Sequence, residues 1–281
     1  MNRQTLYIAF GSHQVAVHSY VPEVLAGTER NFRHMIELEP KKVIGQLEVC
    51  CKNGEYYIVR DSEVSVPNRN LTAVLLRLKY EVVMALIQAR PDLLWFHAGA
   101  AAYRGSAVVF SAPGGRGKST LVTSLCKRGW TYLSDDVIPL DLNSGKVIPF
   151  PQTPRVRKNI GQELPVDRVN ELNKIEVNLK PETVCREAMP IGALIFPTYS
   201  FYSPTELLPC SPGTAALELL QTCVNFANHR QVAVREVCEL VKFLPTFRLT
   251  FNSGSLAAGI IADAYEKQTY LSSDLISNYK N

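Results

Sequence analysis

Ala112-Pro113-Gly114-Gly115-Arg116-Gly117-Lys118-Ser119 is the stretch of this chain best suited to chemistry. It fits the phosphate-binding loop pattern, with Ala where the first Gly usually stands and the Gly-Lys-Ser ending intact. Gly114, Gly115 and Gly117 permit positive φ, so successive backbone N–H groups can turn inward around an anionic phosphate at the positive end of a following helix. On that reading the loop takes ATP with Mg²⁺: Lys118 reaches the β- and γ-phosphates, and the Ser119 hydroxyl ligates the metal. The nucleotide-binding candidates are therefore Gly114, Gly115, Arg116, Gly117, Lys118, Ser119 and Thr120. A second group follows at Asp135-Asp136. One of two adjacent carboxylates can hold Mg²⁺ through its oxygens while the other accepts a proton from an attacking hydroxyl. A lone metal-binding Asp would suit an ordinary ATPase equally well.

These residues need a strand, a turn and a helix to hold them. Residues 106–111 (SAVVFS) form a short β-branched and aromatic run fit for a buried strand, and residues 118–128 carry Leu121, Val122, Leu125 and Cys126 at helical spacing. Gly129 stops that helix. Residues 130–134 (WTYLS) read as the next strand of a right-handed crossover, paired in parallel, which delivers the Asp pair to its carboxyl end. Before the loop, residues 93–103 and 106–111 read as a hairpin across Arg104-Gly105.

The chain resembles the HPr kinase/phosphorylase family and its shorter relatives, among them kinases that modify ribosomal peptides such as lasso peptides. The matching residues are Phe96-His97-Ala98-Gly99, the loop from Ala112 to Thr120, and Lys127-Arg128-Gly129-Trp130 leading to Leu133-Ser134-Asp135-Asp136, all in order within one window. The resemblance implies that Asp135 is the general base with His97 orienting it or relaying its proton, and that Asp136 holds Mg²⁺ with Ser119. The two acidic roles can be exchanged. The resemblance also implies a serine-bearing small protein or peptide as acceptor. The chain departs from the pattern in two places: its N-terminal region is shorter than the separate module of HPr kinase, and the Gly-Leu-Gly signature around Glu163 is missing. That second departure leaves a metal role for Glu163, and a reverse dephosphorylating reaction, without support.

Elsewhere, residues 1–70 are rich in strand signals at 5–10, 14–20, 32–39 and 47–60, the last broken by Asn53-Gly54, and read as an antiparallel lobe. His13, His18 and His34 are expected at its surface or edge. Asn70 caps a helix through residues 71–89 with Leu71, Val74, Leu75, Leu78, Val82 and Leu86 on one face. After the Asp pair, residues 137–141 and 146–150 flank a turn, and a Pro-rich basic loop follows in which Arg155, Arg157 and Lys158 are candidates for phosphate or acceptor contacts. Further on come a buried strand (191–199), helices over 213–227 and 231–243, a strand (246–251) carrying Arg248 at a sheet edge, a helix (255–267) and a polar tail.

Composition excludes several classes. At 281 residues, 46% hydrophobic and 20% charged, the chain is long enough for a sizeable core. A net charge of +4, dispersed along the sequence, does not point to nucleic acid or an anionic membrane. No apolar run reaches membrane-spanning length and the first residues lack a secretory pattern, so a soluble, cytoplasmic protein is expected. Its 7 cysteines lack a CxxC pair and suit reduced thiols in the core. The expectation is an α/β protein: a P-loop nucleotide-binding core of the HPr kinase type over residues 90–268, a smaller β-rich N-terminal lobe over 1–70, a connecting helix over 71–89 and a tail over 269–281. Its expected work is transfer of the ATP γ-phosphoryl group to a serine hydroxyl. A P-loop ATPase, a small-molecule kinase and a nucleotide-sensing module remain open, as does self-association.

Overall fold

The computed structural model describes residues 2–157 and 174–266. Its contacts divide the chain into two compact units, Met1–Pro91 and Asp92–Asn281. No helix among the described residues is long and apolar enough to cross a membrane.

In the first unit, β1 (Gln4–Phe10) and β2 (His13–Ser19) form a hairpin that turns at Gly11, φ +58°. They are followed by α1 (Pro22–Phe32), β3 (Ile36–Glu37), β4 (Lys42–Lys52), β5 (Glu55–Arg60), β6 (Glu63–Val64) and α2 (Leu71–Gln88). The sheet order is β3-β1-β2-β4-β5-β6. The β4–β5 hairpin turns on Asn53 (φ 54°) and Gly54 (φ 75°), both left-handed as a tight two-residue turn requires.

The lobe is not purely antiparallel. Helix α1 was not expected, and most of the strand read over residues 32–39 is absent, only Ile36–Glu37 being extended. Gly27 in mid-helix masks the pattern, and its reason is tertiary: a Cβ there would collide with the Leu75 side chain of α2. Val24, Leu25, Thr28 and Phe32 form the buried face, and Pro22 at the first turn presets φ. Because α1 carries the chain back along the sheet, β4 enters parallel to β2. Strand β2 thus lies between two neighbours, and His18 and His34 are buried rather than superficial. Helix α2 begins at Asn70, whose side chain accepts a hydrogen bond from the Ala73 N–H at 3.2 Å, and packs on α1, β2 and β5 within this unit.

The second unit runs β7 (Leu93–Phe96), β8 (Ala98–Tyr103), β9 (Ser106–Ser111), α3 (Lys118–Cys126), β10 (Thr131–Ser134), β11 (Ile138–Asp141), β12 (Lys146–Val147), β13 (Arg155–Arg157), β14 (Lys174–Glu176), β15 (Met189–Tyr199), β16 (Glu206–Pro209), α4 (Pro212–Gln221), α5 (Phe226–Phe243), β17 (Thr246–Phe251) and α6 (Gly254–Glu266). One mixed sheet has the order β10-β8-β9-β15-β12-β11-β7, with β17 and β16 continuing outward from the later residues of β15. Strands β13 and β14 form a separate ribbon.

The sheet is covered on both faces, and alternation along its strands assigns residues to each. Ala100, Ala102, Val109, Leu194 and Phe196 pack with Leu219 of α4 and Val237, Leu240 and Val241 of α5. Ala101, Val108, Phe110, Ala193 and Ile195 pack with Leu121, Val122 and Leu125 of α3 and with Ala258 and Ile261 of α6. The alanines of β8 leave room for helices to approach closely. Cys126 and Cys185 lie in this core, whereas Cys51 is exposed, and all seven thiols are free.

Three topological expectations change. Strand β10 does not pair in parallel with β9; it pairs antiparallel with β8, because the β8–β9 hairpin already occupies the adjacent slot. The strand read over residues 93–103 breaks at His97, where β7 leaves for the far end of the sheet to pair with β11. Strand β17 is no edge: β16 covers it, and Arg248, exposed, donates to Glu218 at 2.7 Å. Helix α4 also ends earlier than read, at Gln221, and α5 starts at Phe226 with a kink at Arg230.

The segment between α4 and α5 satisfies the outer edge of β7. The Asn225 side chain accepts from the Trp95 N–H at 3.0 Å and donates to the Leu93 carbonyl at 2.8 Å, and the Val224 N–H donates to the Trp95 carbonyl at 2.7 Å. Replacing Asn225 by Ala orphans two buried backbone groups at once. We expect it to lower unfolding free energy by about 2–4 kcal/mol in urea titration, with Asn225→Asp, which keeps the acceptor alone, losing roughly half as much.

Candidate active site

The loop leaves β9 at Ser111 and enters α3 at Lys118. Gly115 (φ 83°) and Gly117 (φ 92°) are left-handed; Gly114 is not and has open space around it. Gly117 is doubly constrained, since a Cβ there would also strike the Phe251 ring of β17. Arg116 is exposed at the tip, and Thr120 packs its methyl group where a Cβ on Gly254 of α6 would fall. Ser119 is half-buried at the helix start, its carbonyl accepting from the Thr123 hydroxyl at 2.7 Å.

Lys118 is only 5% exposed. Its ammonium donates to the carbonyls of Ala112 and of Pro113, the latter at 3.0 Å. Burial pulls its pKa from 10.5 down to about 8, while the carboxylates of Asp136 and Asp135 act in the opposite direction and the positive charge of Lys174 adds to the depression. Both acids therefore stand close to the loop cation.

The two acids differ sharply in surroundings. Asp135 is buried, with the Tyr132 hydroxyl 2.8 Å from Oδ1 and the Arg155 backbone N–H donating to Oδ2 at 3.3 Å. The Tyr132 hydroxyl also lies 2.7 Å from the Gln152 carbonyl, and its single proton serves one acceptor at a time. Burial and the Asp135 charge push the Tyr132 pKa well above 10, so it remains a neutral donor. Asp136 is 38% exposed at its side chain, and its Oδ1 lies 3.4 Å from His97 Nδ1. The break between β7 and β8 thus places the His97 imidazole beside Asp136, the outer of the two carboxylates.

His97 is held from behind. Its backbone N–H donates to the Thr222 carbonyl at 2.7 Å, and the Thr222 hydroxyl lies 2.8 Å from Ser111 Oγ at the end of β9. Gly99, just after it, has the Asp135 Cα 3.3 Å and the Val122 Cγ2 3.0 Å from where a Cβ would stand, which lets β8, β10 and α3 come together behind the acids.

The Pro-rich segment begins buried beside β10. Gln152 and Thr153 are buried, and neither the Gln152 amide nor the Thr153 hydroxyl has a hydrogen-bond partner among the described residues. The Phe150 N–H donates to the Leu133 carbonyl at 3.0 Å, pinning the segment to β10. Strand β13 then carries Arg155 onto Asp135 through its backbone, and the Arg157 guanidinium donates to the Gly115 carbonyl at 3.4 Å. Lys158 and Glu163 lie outside the described residues, as does the tail. Sequence reasoning missed Tyr132, Thr222 and Lys174. Tyr132 reads as an ordinary strand aromatic, and Lys174 is far in sequence from every motif, so only strand pairing brings it here.

The donor types suit a nucleotide with a hard divalent cation: hydroxyl and carboxylate oxygens from Ser119, Asp135 and Asp136, and cations from Lys118, Arg157 and Lys174 beside a glycine cradle. No family model matches the chain. No curated protein matches it. Among solved structures, the Hpr(Ser) kinase/phosphatase from Coxiella burnetii is similar, with 12% identity, a TM-score of 0.33, and coverage of 62% of this chain and 97% of that one. The chemistry assigned to this chain rests on its own residues.

Two outcomes follow from this geometry. Gly117→Ala should destabilise the fold by about 1–3 kcal/mol, and Phe251→Leu in that background should recover only part, since the φ strain persists. Because the Lys118 pKa is lower in the folded than in the unfolded chain, the unfolded state binds more protons between pH 8 and 10.5. The cost is fully present below pH 8, and stability contributed by this site rises as pH climbs through that window. Lys118→Met should remove that upward contribution in pH-dependent denaturation compared with wild type.

Proposed function

We propose that this protein transfers the γ-phosphoryl group of ATP to a hydroxyl, with a serine of a small protein or peptide as acceptor. The observation that carries the reading is the convergence of the buried Lys118, the Asp135–Asp136 pair and His97 beside the Gly115–Gly117 loop. Phosphoryl transfer asks a protein mainly for positioning and charge stabilisation, and these residues supply both.

The surroundings of the acids favour the exchanged assignment. Asp136, accessible and backed by His97, is the proton acceptor; Asp135, fixed by Tyr132 and the Arg155 N–H, holds Mg²⁺ together with Ser119. Mg²⁺, when held there, would neutralise charge on the nucleotide's phosphates. The acceptor oxygen forms a bond to Pγ, the bond from Pγ to the bridging oxygen breaks, ADP departs, and the hydroxyl proton passes to Asp136. On binding phosphates, Lys118 exchanges its contacts with the Ala112 and Pro113 carbonyls for phosphate oxygens. Arg157 and the exposed Arg116 stand at the loop to meet the same anion.

Intact-mass spectrometry after incubation with Mg²⁺·ATP and a panel of acceptors, namely HPr and serine-bearing peptides, tests this directly. We expect an added phosphate on one acceptor class with wild type. Lys118→Ala should lower the rate by about 100-fold or more, and Asp136→Asn by about 10²–10⁴-fold with Mg²⁺·ATP affinity retained. An Asp136→Asn protein that kept its rate would return the base to Asp135. ATP consumption without transfer to any acceptor would favour an ATPase, and binding without either would favour a nucleotide sensor.

A further inference from the structure

We infer that the Tyr202 ring, with Phe201 against it on the loop between β15 and β16, is the platform on which the base of the bound nucleotide stacks. This rests on the nucleotide-binding reading above and deepens it by naming where the nucleoside leaves the phosphate loop. Strands β9, β15 and β17 run parallel, so the phosphate loop and the Phe201–Tyr202 loop leave from the same edge of the sheet. Strand β15 passes Phe110 of β9 at Ile195 and continues to Tyr199, opposite Phe251 of β17, so β15 and β17 project past the point where β9 turns into the loop. The loop lies against that projection: a Cβ on Gly117 would strike the Phe251 ring, and a Cβ on Gly254, at the start of α6, would strike the Thr120 methyl group. The acids follow β10 and stand on the other side of β9, the sheet order there being β10-β8-β9-β15. A triphosphate whose γ end meets the acids therefore sends its α end, and the nucleoside, toward β15 and β17.

At that place two aromatic side chains stand out in water. Tyr202 is 80% exposed and Phe201 39%, and their rings meet edge to face with centroids 5.1 Å apart. A single exposed aromatic is ordinary, but a contacting pair beside a ligand loop is a contiguous apolar surface with π-faces to offer. The segment that carries them is held in place. The Ser200 N–H donates to the Phe251 carbonyl at 2.9 Å, Ser200 Oγ lies 2.8 Å from Ser203 Oγ, and the Thr205 hydroxyl donates to Asn252 Oδ1 at 3.5 Å. The Tyr199 ring packs edge-on against Phe251, centroids 5.6 Å apart, and Phe251 is the ring that borders Gly117. The platform is thus tied through the end of β17 to the loop that takes the phosphates. A base is the flat, apolar-faced part of a nucleotide, and every base has a π-face that can stack on such a ring. A peptide acceptor is reached from the opposite side, where its hydroxyl must meet Asp136 and the γ-phosphoryl group.

Calorimetric titration of wild type, Tyr202→Ala and Tyr202→Trp tests the inference, with two ligands: the Mg²⁺ complex of a non-hydrolysable ATP analogue, and Mg²⁺·tripolyphosphate, which has the phosphates but no base. Wild type should bind the ATP analogue more tightly than tripolyphosphate. Tyr202→Ala should lose about 10-fold in affinity for the ATP analogue and less than about 2-fold for tripolyphosphate, while Tyr202→Trp keeps the wild-type preference. Equal losses for both ligands, or none, would overturn the assignment, and so would a Tyr202→Trp protein as impaired as Tyr202→Ala. A loss confined to the KM of the acceptor in the transfer assay would also overturn it and make the pair an acceptor-docking surface. Wild type that binds neither ligand would overturn the nucleotide-binding reading itself, an outcome distinct from a wild type that binds both with a preference indifferent to Tyr202.

Discussion

Burying the Lys118 ammonium is the constraint on which the rest of the second unit depends. An ammonium removed from water is costly unless oxygen atoms surround it, and the chain supplies them from two directions. The loop carbonyls of Ala112 and Pro113 hold it from the near side, and the Asp135–Asp136 carboxylates attract it from the other. To bring those acids there, β10 pairs with the far side of β8, one strand away from β9, and Gly99 leaves room where the Asp135 Cα approaches β8. The packing of the sheet, the left-handed Gly117 and the placement of the acids are thus parts of one electrostatic solution.

The acid pair shows how one dipeptide acquires two roles. Consecutive residues past a strand end point in different directions, so Asp135 turns inward to Tyr132 and the Arg155 backbone while Asp136 faces outward to His97. The inner carboxylate accepts from the Tyr132 hydroxyl and the Arg155 N–H, and the outer one remains partly exposed to solvent. His97 owes its place to the junction of α4 and α5, which closes the edge of β7 through Asn225 and holds the His97 backbone N–H on the Thr222 carbonyl. The far end of the unit thereby sets the geometry at the loop.

The ribbon of β13 and β14 joins these parts. It begins on the buried Pro151–Pro154 stretch, receives Asp135 at its first residue and returns a guanidinium to the glycine loop. Strand pairing sets Lys174 opposite Arg157, near enough to the loop for Lys118 to feel its charge.

How much of this was legible in the sequence follows from the range of the interactions. The glycine loop, the helix after it, the strand before it, the Asn53-Gly54 turn and the Asn70 cap are set by neighbours within a few residues, and spacing and residue type alone determined them. The β-branched and aromatic run of β9 and the apolar run of β15 likewise announced buried strands. Tertiary structure decided everything that depends on partners distant in sequence. Gly27 hides α1 because the reason for a glycine there is Leu75, and the parallel entry of β4 follows from that helix. The pairing of β10 with β8 was decided by which sheet slot remained open, and the partner of His97 by where β7 parts from β8. Lys174 joins the site only through its register with Arg157. A local sequence pattern fixes a backbone conformation, but which carboxylate meets which cation is fixed by how strands pair across the sheet and the ribbon.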